Sequence, residues 1–110
     1  MTLTTLRLPV VPPRPTGWLD PCCIYRFYND AGVLLYVGIT GSPSVRFESH
    51  RANSAWWGQA DLTRTLVYWR ETKGHAEAEE IAAIIVKRPV FNIAHRPGPR
   101  ITNRQPAYRG

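Results

Sequence analysis

The 110-residue sequence has no apolar run near the roughly 20 residues that a membrane-spanning helix needs. It also lacks a glycine-rich phosphate loop, the cysteine and histidine spacing of a zinc site, and any internal repeat. Composition does not exclude serine hydrolase chemistry, but no serine lies in a recognisable nucleophile turn. The first residues show no signal-peptide pattern. We therefore expect a cytoplasmic protein that does not enter a membrane.

Cysteine is scarce, since Cys22 and Cys23 are the only two. Side chains of adjacent residues in a strand point to opposite faces, so these two cannot easily form a disulfide with each other. A chain of this length can bury a hydrophobic core without disulfides. We expect both cysteines to be reduced packing residues.

Acidic residues are absent from both ends of the chain. Residues 1–19 carry two arginines and residues 95–110 carry four, so the ends hold the whole net charge of +6, while residues 20–94 are neutral overall. We interpret 1–19 as a proline-rich basic arm, 20–94 as the folded domain and 95–110 as a basic flexible tail. Such ends suit a polyanionic partner, although solvated tails that aid solubility are an equally good interpretation. The arm is expected to pack through Leu6, Leu8, Val10 and Trp18.

Two runs of β-branched and aromatic residues, Cys22–Tyr28 and Val33–Ile39, flank a turn that contains Asn, Asp and Gly. This pattern predicts a β-hairpin. With a two- or four-residue loop centred on the turn, Tyr25 faces Tyr36 across the strands. A glycine bulge at Gly32 would move this register by one position.

The rest of the domain has the pattern helix, strand, helix. We expect a helix over about residues 44–52, on which Arg46 and His50 share one face, a strand over 63–69 and a helix over 75–87. Between the first helix and this strand lie Trp56 and Trp57. The two indoles could stack on a base, but large aromatic side chains usually lie in the core, and we favour the core.

On a helical wheel, Ile81, Ile84 and Ile85 form the buried stripe of the second helix. Glu80 lies at the edge of this stripe, where it can face a cleft, and Glu79 falls on the side towards solvent. Acidic residues near a helix start also stabilise its positive end, which is the alternative explanation for both.

In their order along the chain, these polar positions resemble the GIY-YIG nuclease superfamily. The similarity covers about residues 22 to 94, and Cys23 replaces the first glycine, at a position that varies in the superfamily. The matching positions are Cys23-Ile24-Tyr25, Tyr36-Val37-Gly38, Arg46 with His50, Glu80-Ile81-Ala82-Ala83-Ile84, and Pro89-Val90-Phe91-Asn92.

The resemblance implies a small α/β (α+β) fold with a three-stranded antiparallel sheet flanked by helices. It also implies a DNA endonuclease that hydrolyses phosphodiester bonds with one Mg²⁺ or Mn²⁺ per active site. Glu80 would bind the metal, Arg46 would hold the scissile phosphate, and Tyr25 would be the base for water. A phenol has a pKa near 10, so that role needs positive charge, from the metal and Arg46, to lower it.

Three further residues complete the implied site. Tyr36 would orient water or phosphate, His50 would bond to the phosphate or share the proton transfer, and Asn92 would support the site by hydrogen bonds. Whether Tyr25 or His50 is the base stays open. The hydroxyls of Tyr25 and Tyr36 should be exposed on the same sheet face. The candidate DNA-binding residues are Arg46, Arg51, Arg96, Arg100 and Arg104.

Two alternatives remain at this point. One is a catalytically silent nucleic-acid-binding module of the same fold, and the other is a partner-binding domain with an exposed Trp56–Trp57 patch. The basic ends can add phosphate affinity but little base readout. One active site cuts one strand at a time, so double-strand cleavage would need a homodimer or successive nicks. We expect weak sequence preference, or selection by DNA structure, by modification or by a partner protein.

Overall fold

The computed structural model describes residues 8–92, in which three strands form one antiparallel sheet with two helices packed on it. The strand order is β2-β1-β3, so β1 lies in the centre. The predicted α+β fold with a three-stranded antiparallel sheet is confirmed. The elements are β1 (Cys22–Tyr28), β2 (Leu34–Thr40), α1 (Pro43–Asn53), β3 (Leu66–Arg70) and α2 (Lys73–Lys87), with 3-10 turns at Trp57–Gln59 and Leu62–Arg64.

The hairpin turn is organised by Asn29. Its side-chain oxygen accepts hydrogen bonds from the backbone N–H groups of Ala31 and Val33, both at 2.9 Å. Gly32 adopts φ +82°, a left-handed conformation that glycine takes at little cost. The turn therefore closes between Asn29 and Val33, and β2 begins one residue later than predicted.

The strand register differs from the predicted one. Tyr25 pairs with Gly38, and Tyr36 pairs with Phe27. The direct Tyr25–Tyr36 pairing is wrong, because the turn at Gly32 and a further irregularity after Phe27 each shift the register by one residue. A shift of two preserves the alternation of faces, so both tyrosines still lie on the same side of the sheet.

Each sheet face has its own hydrophobic cluster. On the first face, Tyr25 and Phe27 pack with Phe47 of α1 and with Trp56. On the opposite face, a second cluster joins β1 and β2 to α2. It contains Ile24, Val37, Ala83 and Ile84.

The buried stripe of α2 is rotated from the predicted one. Ile84 is 1% exposed, but Ile85 is 46% exposed, and Ala76 and Ala83 complete the buried face. Small alanine side chains let the helix backbone lie close to the sheet, which turns Ile85 outwards. The prediction that Ile85 is buried is wrong.

Glu79 does not simply face solvent, contrary to prediction. Its carboxylate accepts hydrogen bonds from Arg70 of β3, the shorter at 2.6 Å, and lies 3.9 Å from the Arg26 guanidinium of β1. The two arginines reach Glu79 because their strands are neighbours in the sheet, which helical periodicity alone does not reveal.

The N-terminal arm lies against β3. Leu8 and Val11 pack on the first cluster, and the Trp69 indole N–H donates to the Pro12 carbonyl at 2.9 Å. Val10 is 89% exposed, so its predicted packing is wrong. Trp18 is partly exposed, and Leu6 lies outside the described residues.

Cys22 and Cys23 are buried free thiols, and Trp56 is buried while Trp57 is half-buried against the same cluster. The prediction of packing cysteines and a core tryptophan agrees with this arrangement. Neither α1 nor α2, the α-helices of residues 8–92, has the length and apolar character needed to cross a bilayer.

Candidate active site

Tyr25 lies at the centre of the candidate polar group, on the middle strand and facing α1. Its ring packs edge-on against Phe47, and its hydroxyl lies 2.8 Å from Nε2 of His50. The residue is only 1% exposed. The expectation that the Tyr25 hydroxyl would be exposed is therefore wrong.

His50 lies on the buried side of α1, and both of its ring nitrogens have partners. Nε2 contacts the Tyr25 hydroxyl, and Nδ1 lies 2.7 Å from the hydroxyl of Ser54 at the end of the helix. Burial lowers the pKa of His50 to about 4, and the positive charge of Arg46 contributes to this shift. The imidazole is therefore neutral at pH 7, and one of its nitrogens is free to accept a hydrogen bond.

The pKa of Tyr25 moves in the direction opposite to that expected. Burial raises it above the ordinary value, Tyr36 adds to the rise, and Arg46 opposes it by a hydrogen bond and by its charge. Glu80 contributes a smaller rise. Arg46 and Glu80 are thus close enough to Tyr25 to act on its charge, but Arg46 alone does not produce a phenolate.

Tyr36 presents a different environment from Tyr25. It is half-buried, its ring stacks on Trp56 at a centroid distance of 5.1 Å, and the two tyrosine rings are 6.2 Å apart. Arg46 is on the exposed side of α1, beside both tyrosines. The arrangement leaves Tyr36 and Arg46 in contact with solvent above the buried Tyr25–His50 pair.

Gly38 makes room for both tyrosines. A Cβ atom built at this position would lie 2.6 Å from Cζ of Tyr25 and 2.9 Å from Cε2 of Tyr36. Real Cβ atoms do not approach ring carbons so closely, so any side chain here would displace one ring. This steric requirement explains why the motif Tyr36-Val37-Gly38 ends in glycine in this fold.

The Gly38→Ala variant is expected to lose the Tyr25–His50 hydrogen bond and to unfold with a free energy lower by about 1–3 kcal/mol, as for overpacked cores. Urea unfolding measures the stability, and a nuclease assay measures the loss of activity. Gly58→Ala is the matched control, because no atom lies within 4 Å of a Cβ built there. Equal stability of the two variants would contradict this steric role.

Glu80 is half-buried on α2. Burial raises the pKa of its carboxyl group, and the neighbouring Glu77 adds to the rise. Within residues 8–92 no basic side chain forms an ion pair with it. The same residues contain no group of three or more histidine, cysteine, aspartate or glutamate side chains that could hold a metal. Mg²⁺ needs no such group, since one or two carboxylates, water and substrate phosphate commonly suffice.

Asn92 is buried at the outer edge of β2. Its Oδ1 accepts a hydrogen bond from the Val37 N–H, and its Nδ2 donates to the Val37 carbonyl, both at 2.8 Å. Just before it, Val90 and Phe91 donate backbone hydrogen bonds to Leu34 and Leu35. Asn92 therefore holds the backbone between Tyr36 and Gly38 in place instead of facing the tyrosine hydroxyls.

The Asn92→Ala variant is expected to lower the free energy of unfolding by about 2–4 kcal/mol, because it leaves the two buried polar groups of Val37 unpaired. Thermal or urea unfolding measures this loss. Asn53→Ala, at the exposed last residue of α1, serves as the control. Equal losses in the two variants would show that the bonds to Val37 contribute little.

The candidate DNA-binding arginines are only partly described. Arg51 forms an ion pair with Glu48 on the surface of α1. Arg96, Arg100 and Arg104 lie outside the described residues. Sequence reasoning missed Ser54, although its spacing of four residues from His50 places both on one side of the chain at the helix end.

Two tyrosines on one sheet face lie beside an arginine and a buried histidine, and a half-buried glutamate on α2 acts on Tyr25 by its charge. These are the features of a GIY-YIG-type nuclease site. Residues 21–88 match the family model described as the GIY-YIG catalytic domain. The chain belongs to the GIY-YIG family, as the sequence resemblance indicated. Searches of curated proteins and of solved structures gave no significant match. Membership implies a nuclease-type function and a nucleic-acid substrate, in a family that typically uses divalent metals.

Proposed function

We propose that this protein is a metal-dependent DNA endonuclease that hydrolyses phosphodiester bonds through a single active site. The observation that carries the proposal is the 2.8 Å hydrogen bond between Tyr25 and a neutral His50, at a site where the charges of Arg46 and Glu80 both act on Tyr25. A proton acceptor, a fixed cation and a carboxylate are the groups that phosphodiester hydrolysis requires.

Glu80 is the side chain that would hold one Mg²⁺ or Mn²⁺. Its carboxyl group has a raised pKa because it is removed from water and lies near Glu77, and a bound cation would favour its ionised form. When bound, such an ion stabilises the negative charge that develops on the phosphate oxygens and the leaving group. The remaining ligands would be water and the phosphate itself.

The base is the Tyr25–His50 pair. Because its pKa is raised, the Tyr25 hydroxyl stays protonated and does not act as a preformed phenolate. Instead, Tyr25 takes a proton from the attacking water as its own proton passes to Nε2 of His50. The water oxygen then bonds to phosphorus, the bond to the leaving oxygen breaks, and that oxygen takes a proton from solvent.

The exposed parts of the site bind the substrate. The planar guanidinium of Arg46 can hold two oxygens of the scissile phosphate, and the half-buried Tyr36 can orient the phosphate or the water. Tyr25 is only 1% exposed. The bound substrate must therefore bring the attacking water to the Tyr25 hydroxyl from the solvent side, where Arg46 and Tyr36 lie.

The test is cleavage of supercoiled plasmid with Mg²⁺ or Mn²⁺, with and without EDTA, beside an RNA of matched length. We expect nicking of the plasmid that EDTA abolishes, and a rate about 10²-fold lower in Arg46→Ala, because a charge that stabilises the transition state is lost. Arg64→Ala is the control, since Arg64 only pairs with Asp61 on the surface.

Three results would contradict the proposal. Cleavage of RNA alone would exclude DNA as the substrate, and equal rates of Arg46→Ala and wild type would exclude this site. DNA binding without cleavage under any metal would favour the catalytically silent module. The size of the protein in solution, measured by light scattering with and without DNA, tests for a homodimer, which is one alternative beside a partner protein.

A further inference from the structure

Ser54 contacts His50 through both its side chain and its backbone. Its hydroxyl oxygen lies 2.7 Å from Nδ1 of His50, and its N–H donates to the His50 carbonyl at 2.8 Å as the cap of α1. Ser54 leaves the helix with extended backbone angles, φ −92° and ψ 125°. The end of the helix thus places the serine hydroxyl against the imidazole.

The neighbours of Tyr25 determine which nitrogen of His50 carries the proton. The buried Tyr25 hydroxyl needs an acceptor for its proton, and Arg46, whose charge acts on Tyr25, can only donate hydrogen bonds. Among residues 8–92, Nε2 of His50 is the acceptor within hydrogen-bonding distance of that hydroxyl. Nε2 therefore carries no proton, and Nδ1–H donates to the Ser54 oxygen.

We propose that Ser54 is a positioning residue of the nuclease reaction. By accepting a hydrogen bond from Nδ1–H, its hydroxyl holds His50 in the tautomer whose Nε2 lone pair faces Tyr25. Only this tautomer can receive the Tyr25 proton while Tyr25 takes one from water. The expected effect of Ser54 on catalysis rests on the proposed function, whereas the assignment of the His50 tautomer does not depend on it.

The alternative tautomer would stop this proton transfer. With the proton on Nε2, His50 would donate to the Tyr25 oxygen, and the Tyr25 proton would have no acceptor there. Without the serine hydroxyl, Nδ1–H would be a buried donor with no partner, which costs free energy. Removing the hydroxyl therefore favours the inactive tautomer without touching the substrate.

The first measurement is ¹⁵N NMR of the imidazole in the wild-type protein at pH 7, without metal or DNA. We expect a pyridine-type resonance for Nε2 and a pyrrole-type resonance for Nδ1 of His50, assigned by comparison with His50→Gln. The reverse assignment in wild type would overturn the proposal, whether or not the protein cleaves DNA.

The second measurement compares three variants. In Ser54→Ala the His50 tautomer should shift towards protonated Nε2, and kcat should fall by about tenfold with KM changed less than twofold, as for lost outer hydrogen bonds in active sites. Ser54→Thr, which keeps the hydroxyl, should restore both. Ser44→Ala, at an exposed position of α1, is the control.

The two readouts separate the failure of this inference from that of the proposed function. If no variant cleaves DNA but the tautomer shifts in Ser54→Ala and returns in Ser54→Thr, the positioning role stands and the nuclease proposal fails. If wild type cleaves DNA and Ser54→Ala keeps both its tautomer and its kcat, the positioning role is refuted. Should Ser54→Ala not fold, the wild-type and Ser54→Thr spectra still decide.

Discussion

Replacing Glu80 with glutamine is expected to reduce cleavage by about 10³-fold or more while the protein stays folded. The loss follows because the proposed metal ligand contributes several kcal/mol of transition-state stabilisation through the bound cation. Glutamine has nearly the same size and removes only the charge. The measurement is the initial rate of plasmid nicking over a series of Mg²⁺ concentrations, since a weakened metal site requires more metal.

Stability should move differently from activity in this variant. The carboxyl group of Glu80 is half-buried and its pKa is raised. In the absence of metal, folding therefore disfavours the ionised form of this side chain. We therefore expect Glu80→Gln to unfold at the same urea concentration as wild type or a higher one. Unchanged stability together with lost cleavage is the result expected of a catalytic residue.

Glu77→Gln is the matched control, because Glu77 is an exposed acid about one turn earlier on α2. Its cleavage rate should stay within twofold of that of wild type. A rate of Glu80→Gln equal to that of Glu77→Gln would remove Glu80 from the active site. Cleavage that is lost equally in both variants would point to a general effect of charge on α2.

The second large effect is expected for Tyr25→Phe, which should lower kcat by about 10²–10⁴-fold, the contribution of a positioned acid–base group. Phenylalanine keeps the aromatic packing against Phe27 and Phe47 but removes the hydroxyl that joins water to His50. Single-turnover cleavage at saturating enzyme measures the chemical step separately from binding.

This variant also tests which tyrosine is the base. If Tyr36→Phe loses more activity than Tyr25→Phe, the half-buried tyrosine takes the proton and the proposed role of Tyr25 is wrong. Tyr68→Phe is the control, since Tyr68 is 45% exposed on the other face of the sheet, beside Arg70. DNA affinity should be similar in Tyr25→Phe and Tyr68→Phe if only proton transfer is affected.

Much of the fold follows from local patterns. The alternation of residues in β1 and β2 predicts the hairpin and places Tyr25 and Tyr36 on one face even though the register is displaced, because a shift of two residues keeps the faces. Helical periodicity places Glu80 at the edge of the buried stripe, and Glu80 is half-buried, but so is Glu79, which has partners in the sheet. The ordered motifs identify the family, which the match over residues 21–88 confirms.

The details of the site depend on contacts between distant parts of the chain. Three of them are the bonds from Asn92 to Val37, the space that Gly38 leaves for Tyr25, and the burial of His50 against Tyr25. None of these three contacts produces a periodic pattern in the sequence from which it could be predicted.

The sequence by itself determined the order of the elements, the family and the candidate residues for the chemistry, because side-chain alternation and motif spacing are local properties. Only the tertiary structure decided the surroundings of these residues. The pKa of Tyr25 is raised and that of His50 is lowered because burial disfavours the charged form of each. Burial results from packing the whole sheet against α1, so the neutral Tyr25–His50 pair becomes visible only when the chain is folded.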